Sequence, residues 1–304
     1  MWAARRSLII LVVGILVGGI AKYGLLDEGE VPALSTYALD LARVRSMALG
    51  GELPLRVNAE VVAKSRVPAI ALMAGNSPWV YQEMVRTAYQ VVYSEGRSVI
   101  IDTGPDRQLH EELSPEGPFY PERFAAVQRA MLFAEAIVVT HDHPDHIGGI
   151  ARSPNLEHIR DRIVLTREQL DNREQLDKVG YPFDTLGAVE ALDYRQYHRL
   201  APGIVLIKAP GHTPGSQMVF VKLAGGRELL FVGDVAWHMD NIEIPRGRAL
   251  AISKFVVGED RSAVLHQLRA LHSLRSPSLH MVVSHDSAQL GRLRASGVLG
   301  RAFE

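Results

Sequence analysis

Three histidines and two aspartates lie within six residues of one short loop, residues 140–149, whose sequence is THDHPDHIGG. Imidazole and carboxylate groups together suit a borderline divalent metal such as zinc. His141 and His143 are two residues apart, so in extended backbone they point to the same side and can share one ion. Asp145 and His146 follow, and the two glycines that end the loop would let the chain turn sharply, so this second pair can face a different point. The spacing therefore predicts a loop that serves two adjacent metals.

A polar strand-to-helix turn with incidental histidines is the alternative interpretation of this loop. It would suit a single histidine better than four ligand-type residues in this order. A dinuclear site needs roughly seven or eight donors including water, so at least three more protein groups should lie elsewhere in the chain.

Three further ligand-type residues meet that need, because each follows a short apolar run that is typical of a buried strand. His212 lies in a turn rich in glycine and proline after residues 203–207. Asp234 and His285 come soon after two further runs of this kind. Layered α/β proteins tend to build their active sites at strand ends, so these three residues are predicted to join the loop.

Asp102 is a fourth acid at a strand end, directly after Val99-Ile100-Ile101. Its carboxylate could accept a hydrogen bond from a ligand histidine or from a metal-bound water, and so orient the site without binding the ion. An aspartate that satisfies backbone amides in a turn is an equal alternative.

Five motifs in order, I-D-T-G, H-x-H-x-D-H, G-H-T-P-G-S, G-D and S-H-D, resemble those of the metallo-β-lactamase superfamily. The resemblance covers roughly residues 55–287. It implies an α/β fold, a four-layered αββα sandwich of two mixed sheets flanked by helices, with two metals at one edge of the paired sheets. It also implies a first metal held by His141, His143 and His212, a second held by Asp145, His146 and His285, and a bridge between them at Asp234.

The cofactors expected from this ligand set are two Zn²⁺ ions, with iron or manganese as alternatives because ligand type alone does not select the metal. Coordination lowers the pKa of water from about 15.7 towards 7, so a bridging hydroxide would be the nucleophile. Asp145 is the candidate to accept its proton, since a metal-bound carboxylate keeps a free oxygen. Asp145 and Asp234 are therefore the predicted catalytic residues.

In layout the sequence is closest to the N-acyl homoserine lactonase branch of the family, which implies a lactone or related carboxylic ester as substrate. The observations behind this are the long stretch before the loop and the short tail, since only 19 residues follow His285. Trp237 stands where that branch usually has a tyrosine that contacts the lactone carbonyl. An indole can donate a hydrogen bond but cannot exchange a proton, and a core aromatic is the plainer role for Trp237. His238 is a further candidate for the substrate cleft.

Other classes of function remain open at this point. A phosphodiesterase or nuclease would use the same seven ligands, and an iron-dependent redox enzyme would retain much of the motif set. A non-catalytic binding protein tethered to a membrane is the most distant alternative.

Composition is consistent with one compact enzyme domain, predicted at residues 31–304. The chain has 304 residues, of which 47% are hydrophobic, which is enough for a large core. With 33 basic and 34 acidic residues, no electrostatic argument favours a nucleic-acid partner, so a small-molecule substrate is expected. The chain has no cysteine, so all metal ligands must be nitrogen or oxygen atoms.

The first 26 residues are predicted to be a signal peptide or a membrane anchor. Arg5 and Arg6 precede a 15-residue run from Ser7 to Ala21, and acidic residues follow from Asp27 onwards. This charge order places the N-terminus in the cytoplasm and the enzyme outside. We therefore expect an exported protein that is either periplasmic or anchored in the cytoplasmic membrane with its catalytic domain outside. If the segment is not cleaved, the membrane would be a binding partner.

Overall fold

Two five-stranded sheets form the centre of the molecule. The structure is a computed structural model that describes residues 11–19, 31–183, 189–301 and 303. The first sheet has the order β1-β2-β3-β4-β5 and consists of β1 (Arg56–Pro68), β2 (Tyr81–Val92), β3 (Ser98–Ile101), β4 (Ala136–Val138) and β5 (Ile163–Val164). The second has the order β10-β9-β8-β7-β6 and consists of β6 (Tyr197–Ala201), β7 (Ile204–Lys208), β8 (Gln217–Lys222), β9 (Glu228–Phe231) and β10 (Leu279–Val282).

Both sheets are mixed. β1, β2 and β3 pair antiparallel, and β4 and β5 extend the sheet in parallel. In the second sheet β6 to β9 form an antiparallel meander, and β10 adds in parallel to β9. Parallel neighbours end at the same edge of a sheet, so the segments that leave β3 and β4, and those that leave β9 and β10, are brought side by side.

Helices cover both outer faces of the sheets. Those on the first sheet's side include α3 (Arg107–Leu113), α4 (Pro121–Phe133), α5 (Pro144–Ala151), α6 (Leu156–Ile159) and α8 (Arg173–Val179). Those on the second sheet's side include α1 (Leu41–Ala48) and α10 (Arg261–Ser273). The remaining short helices are α2 (Ala69–Leu72), α7 (Arg167–Asp171), α9 (Asp240–Glu243) and α11 (Ser287–Ala295).

Three buried apolar layers separate these four structural layers. Strand β7 shows the principle, because Ile204 and Leu206 lie in the core between the two sheets, whereas Val205 and Ile207 lie in the core under α1 and α10. Side chains alternate between the two faces of a strand, so a strand buried on both faces is apolar throughout. The αββα sandwich of two mixed sheets flanked by helices is confirmed.

Residues 11–19 are helical and expose their apolar side chains. Among the residues that the structure describes, no helix is both long and apolar enough to cross a bilayer. Most of the predicted signal or anchor segment, residues 1–10 and 20–26, lies outside the described residues.

Candidate metal centre

Seven imidazole and carboxylate side chains converge at one edge of the two sheets and form two groups. Within each group, all donor atoms lie within 4.8 Å of one another. The first group is His141, His143, His212 and Asp234, and the second is Asp145, His146 and His285. The structure thus brings together all seven residues that the sequence singled out as metal ligands.

The loop after β4 divides its side chains between the two groups because a helix begins inside it. His143 is the N-cap residue of α5, and Pro144 occupies the first turn, where a proline costs no hydrogen bond. Asp145 and His146 lie on that first turn and point in a different direction from the extended residues before it.

The two glycines of the loop do not turn the chain, so the role predicted for them from the sequence was wrong. Gly148 and Gly149 lie inside α5, which continues to Ala151. A Cβ on Gly149 would lie 2.7 Å from the Thr103 carbonyl oxygen, and the Gly149 N–H donates to the Gly104 carbonyl oxygen at 2.7 Å. The glycines therefore let α5 lie directly on the backbone of the segment that leaves β3.

Asp102 stands at the start of that segment and connects it to the metal-facing loop. It adopts a φ of 56°, a left-handed conformation that aspartate tolerates better than most residues. Its Oδ1 accepts a hydrogen bond from the Thr140 amide at 2.7 Å, and its Oδ2 lies 2.9 Å from His146 Nδ1. The carboxylate thus satisfies a turn amide and also fixes the His146 ring so that Nε2 faces the second group.

The second sheet supplies the other three members. His212 lies between β7 and β8, while Asp234 and His285 follow the parallel strands β9 and β10. His212 Nδ1 contacts Glu259 Oε2 at 3.1 Å, and His285 Nδ1 contacts the Val85 carbonyl oxygen at 2.9 Å. In both histidines the contact leaves Nε2 for the cluster.

Asp234 lies between the two groups and reaches both. Its Oδ2 is 3.2 Å from His212 Nε2, and its Oδ1 is 3.3 Å from His146 Nε2 and 3.2 Å from His285 Nε2. Asp234 therefore presents an oxygen to each of the two donor groups, and its Oδ2 is also 3.3 Å from His285 Nε2.

The residues fit a pair of divalent cations. His143 Nδ1 lies 3.0 Å from His141 Nε2 and 2.9 Å from His212 Nε2. A hydrogen on His143 Nδ1 can point directly at only one of these two nitrogens, so the three nitrogens do not form a complete set of hydrogen bonds. His146 Nε2 and Asp234 Oδ1 are buried without a hydrogen-bond partner among the described residues. Buried polar atoms are normally paired, so these two unpaired atoms fit a site that binds a cation.

The electrostatics of His141, His143 and Asp234 agree with that conclusion. Burial, together with neighbouring imidazoles, lowers the pKa of His141 well below its usual range and that of His143 to about 3, which keeps both rings neutral. Burial opposes the charged form of Asp234, but the surrounding histidines hold its pKa well below the usual value. For His146 burial is outweighed by Asp102 and Asp234, which raise its pKa. Neutral imidazole and ionised carboxylate are the forms that bind metal, so His141, His143 and Asp234 are already in that form. Burial opposes the charged form of His212 as well, but Asp234 raises its pKa, so His146 and His212 must each release a proton when an ion binds.

Three charged residues that the sequence did not assign to the site lie against it. Arg86, on β2, donates from Nε to Asp145 Oδ2 at 2.7 Å, and Glu259 contacts both His212 and Arg248. The second guanidinium nitrogen of Arg248 donates to the Asp234 carbonyl oxygen at 2.6 Å. An arginine in the middle of strand β2 was the only signal for Arg86, and Glu259 had none because it is 47 residues from His212.

Trp237 lies at the centre, whereas His238 does not. The indole N–H of Trp237 donates to Asp234 Oδ2 at 2.6 Å, and the Arg248 guanidinium stacks on the ring, 4.1 Å from its centroid. His238, which was expected in the cleft, instead contacts Asp240 and Asp286 at 3.3 Å and is not among the described residues that line the cavity.

A cavity of about 410 Å³ opens onto the two groups. Its polar wall includes His143, Asp145 and His285, and its apolar wall consists of Val67, Met84, Leu113, Val256 and Val257 together with Trp237. A second cavity of about 760 Å³ shares Val67, Leu113 and Ser114 with the first and so extends the cleft away from the metal-facing residues.

Residues 84–279 match the family model of the metallo-beta-lactamase superfamily. Among curated proteins, the chain is 33% identical over 116 residues to the N-acyl homoserine lactonase AttM of Rhizobium radiobacter, which covers 35% of this chain and 43% of that protein. It is 27% identical over 177 residues to a protein of Mycobacterium tuberculosis named probable metallo-hydrolase, over 49% of this chain and 54% of that protein. The chain thus spans about half the length of the curated relatives it matches.

Solved structures show the same architecture. A quorum-quenching N-acyl homoserine lactone lactonase superposes with a TM-score of 0.61 at 18% identity, over 78% of this chain and 94% of that chain. AidC, a dizinc quorum-quenching lactonase in complex with a product, superposes with a TM-score of 0.55 at 16% identity, over 78% and 90% of the two chains. At these identities the likeness concerns the fold.

Proposed function

This chain belongs to the metallo-beta-lactamase superfamily, and from that premise we propose that it is a dinuclear metal-dependent hydrolase of an ester-type bond, a lactone or related carboxylic ester in first place. The observation that carries the proposal is the pair of donor groups joined through Asp234. When bound, two divalent ions would supply an activated water as nucleophile and a Lewis acid for the substrate oxygen.

The chain's own residues have distinct tasks in this proposal. His141, His143 and His212 would hold one ion, Asp145, His146 and His285 would hold the other, and Asp234 would contribute to both. Asp102 and Glu259 orient His146 and His212 from behind. Zinc suits the nitrogen and oxygen donors, and iron or manganese would use the same set.

Asp145 is the proposed proton acceptor, but one of its oxygens is already engaged. Oδ2 accepts a hydrogen bond from Arg86 Nε at 2.7 Å. Burial opposes ionisation of this carboxyl, yet Arg86 and the neighbouring histidines hold its pKa at about 2, which makes it a weak base. Asp145 can therefore take the proton on Oδ2 only after Arg86 Nε moves away from that oxygen.

The cavity supports a substrate with an apolar portion. Five aliphatic side chains and Trp237 form one wall, directly beside the metal-facing residues. An acyl or alkyl group could lie along this wall while a carbonyl faces the donor groups. The lactonases among the relatives, AttM and AidC, support a lactone as the first candidate.

A substrate panel tests the proposal. The purified full-length chain, loaded with Zn²⁺, should hydrolyse lactones or carboxylic esters faster than thioesters, aryl phosphodiesters and β-lactams. His141→Ala and Asp234→Ala should lose metal occupancy and nearly all turnover, because each removes a donor from the shared centre. His158→Ala, on the surface helix α6, is the matched control and should retain both.

Preferred hydrolysis of phosphodiesters would replace the ester proposal with a phosphodiesterase. Full metal occupancy without turnover on any substrate class would favour a binding protein. Variants of His141 or Asp234 that keep wild-type metal content would overturn the assignment of the centre itself.

A further inference from the structure

A buried arginine reaches directly into the second donor group. Arg86 lies on β2, and its Nε is 2.7 Å from Asp145 Oδ2 while one terminal guanidinium nitrogen is 3.4 Å from His285 Nδ1. The two paired side chains are 9% and 13% exposed, so water screens their attraction weakly. Two of the three members of this group are thus in contact with a permanent positive charge.

The first donor group has no equivalent contact among the described residues. The Arg248 guanidinium lies beside this group, and its charge is paired with Glu259 at 2.7 Å. Its other hydrogen bond goes to the backbone carbonyl of Asp234, not to a side chain that would bind an ion. In the second group, an arginine side chain is already paired with a carboxylate that would bind an ion. In the first group, no described arginine is paired with such a carboxylate.

An ion entering the second group would compete with Arg86. Both cations are attracted to the same carboxylate, and they repel one another across a few ångströms of buried protein. Oδ1 of Asp145 can bind an ion while Arg86 stays on Oδ2, but the two cations then repel one another at close range. Releasing Arg86 instead would leave its own charge buried without its partner, which carries a large free-energy cost. In the first group Asp234 Oδ2 accepts a hydrogen bond from the neutral indole N–H of Trp237, so among the described residues no guanidinium has to share that oxygen with an ion.

We propose that Arg86 acts as the resident cation of the second donor group and that the centre is therefore loaded stepwise, first at His141, His143 and His212 and only then at Asp145, His146 and His285. Arg86 is a positioning residue in this scheme, because it acts through Asp145. The inference rests on the metal-binding part of the proposed function and does not depend on the substrate.

Calorimetric titration of the metal-free full-length protein with Zn²⁺, with stoichiometry checked by native mass spectrometry, tests the proposal. The wild type should bind two ions in two separated steps. Arg86→Gln should strengthen the second step at least tenfold and leave the first nearly unchanged. Arg86→Lys keeps the charge and should keep the two steps apart. Arg66→Gln, an exposed arginine on the neighbouring strand β1, is the matched control and should behave as the wild type.

Two ligand variants test the order of loading without altering Arg86. His143→Ala should abolish the tight step, whereas Asp145→Asn should abolish the weak step and leave the tight one. Equal affinity for both ions in the wild type would overturn the proposal. So would an Arg86→Gln variant whose second step is unchanged or weaker, or loss of the tight step in Asp145→Asn. Failure of the wild type to bind any Zn²⁺ is a separate result, because it would overturn the proposed metal centre as a whole.

Discussion

Three of the clustered histidines have a hydrogen-bond partner on one ring nitrogen, which leaves the other nitrogen for the cluster. The partners are Asp102 for His146, Glu259 for His212 and the Val85 carbonyl for His285. Such contacts fix both the tautomer and the orientation of a metal-binding imidazole. At the scale of single residues, the centre is therefore held in a geometry suited to metal before any ion binds.

Asp102→Asn should weaken metal binding while leaving the fold intact. Asparagine tolerates the same left-handed backbone, but it removes the negative charge that faces His146 Nδ1. Loss of such a partner typically lowers metal affinity by about 10–100-fold. Competition with a chelator of known affinity would measure the change.

Asp106→Asn is the control for this experiment. Asp106 caps α3 through the Leu109 amide, four residues after Asp102, and asparagine caps helices equally well. Equal zinc affinity in Asp102→Asn and Asp106→Asn would show that Asp102 has only the turn role.

At the scale of elements, helix α5 is held against the segment that leaves β3 by contacts that only glycine permits. Hypothetical Cβ atoms on Gly148 and Gly149 would lie 2.7 Å from Leu109 Cδ1 and from the Thr103 carbonyl oxygen. The same helix carries Asp145 and His146 on its first turn. Close packing of this helix therefore determines where half of the loop's donors point.

Gly149→Ala should destabilise the protein by about 1–3 kcal/mol, because the added methyl group meets backbone that cannot move aside easily. Gly291→Ala is the matched control, since Gly291 also lies inside a helix, α11, with nothing within 4 Å of its hypothetical Cβ. There the alanine should stabilise the helix by about 0.5–1 kcal/mol. Urea unfolding of the two variants would measure opposite signs, and a stabilised Gly149→Ala would contradict the close packing.

Helix α1 is joined to the second sheet by a carboxylate with two cationic partners. Glu228, at the start of β9, accepts hydrogen bonds from Arg45 on α1 and from Lys222 on β8. Burial opposes ionisation of Glu228, but Arg45 and Lys222 lower its pKa below the usual value. A carboxylate whose folded pKa is lowered stabilises the protein above its unfolded pKa of about 4.3 and loses that contribution as the pH falls through the folded pKa.

Glu228→Gln should therefore lower the free energy of unfolding at pH 7 and have little effect in acid. The difference should be on the order of 1 kcal/mol, because Arg45 is 40% exposed and water screens the pair. Denaturant unfolding from pH 7 to pH 3 would show the gap between variant and wild type closing below about pH 4. Glu174→Gln, which removes an exposed pair with Lys178, should show no measurable gap at any pH. A gap for Glu228→Gln that persists unchanged at pH 3 would argue against an ionised carboxylate.

At the scale of the whole molecule, the centre lies where the two sheets meet. The first sheet contributes the donors that follow β4, and the second contributes those between β7 and β8 and after β9 and β10. Ions shared by the two groups would tie the sheets together along one edge. The N-terminal signal or anchor segment, and the localisation outside the cytoplasm that it implies, stay predictions.

Metal binding should raise the melting temperature of the protein, because the ions would connect the two sheets only in the folded state. A ligand that binds only the folded state stabilises it by about 2.7 kcal/mol when the free ligand concentration is about 100 times the dissociation constant. For a domain of this size, that free energy corresponds to a rise in melting temperature of roughly 5–10 °C. Scanning calorimetry of chelated and Zn²⁺-loaded protein would measure the shift. The double variant His141→Ala/His143→Ala should show a clearly smaller shift, because only the weaker second group remains, and an equal melting temperature of the wild type in both states would contradict a centre shared by the sheets.

The sequence alone indicated the membership of the cluster, and its resemblance to the metallo-β-lactamase superfamily implied the layered architecture. Ligand-type residues that follow β-branched apolar runs, such as Asp234 after β9, are placed at strand ends by local chemistry, and strands apolar on both faces require a layer on each side. Local patterning also indicated Asp102, because the I-D-T-G run places it next to a strand end.

The family resemblance already implied how those residues are grouped, and only the tertiary structure decided what holds them in place. The contacts of Arg86 with Asp145, and of Glu259 with His212, join residues that are 59 and 47 positions apart, and no periodicity in the sequence encodes such distances. The prediction that the two loop glycines turn the chain was wrong for a related reason. A side chain is excluded at these positions by residues of a different segment, which packs against α5. Pairing between distant segments depends on how the layers pack, and packing is a property of the folded chain as a whole.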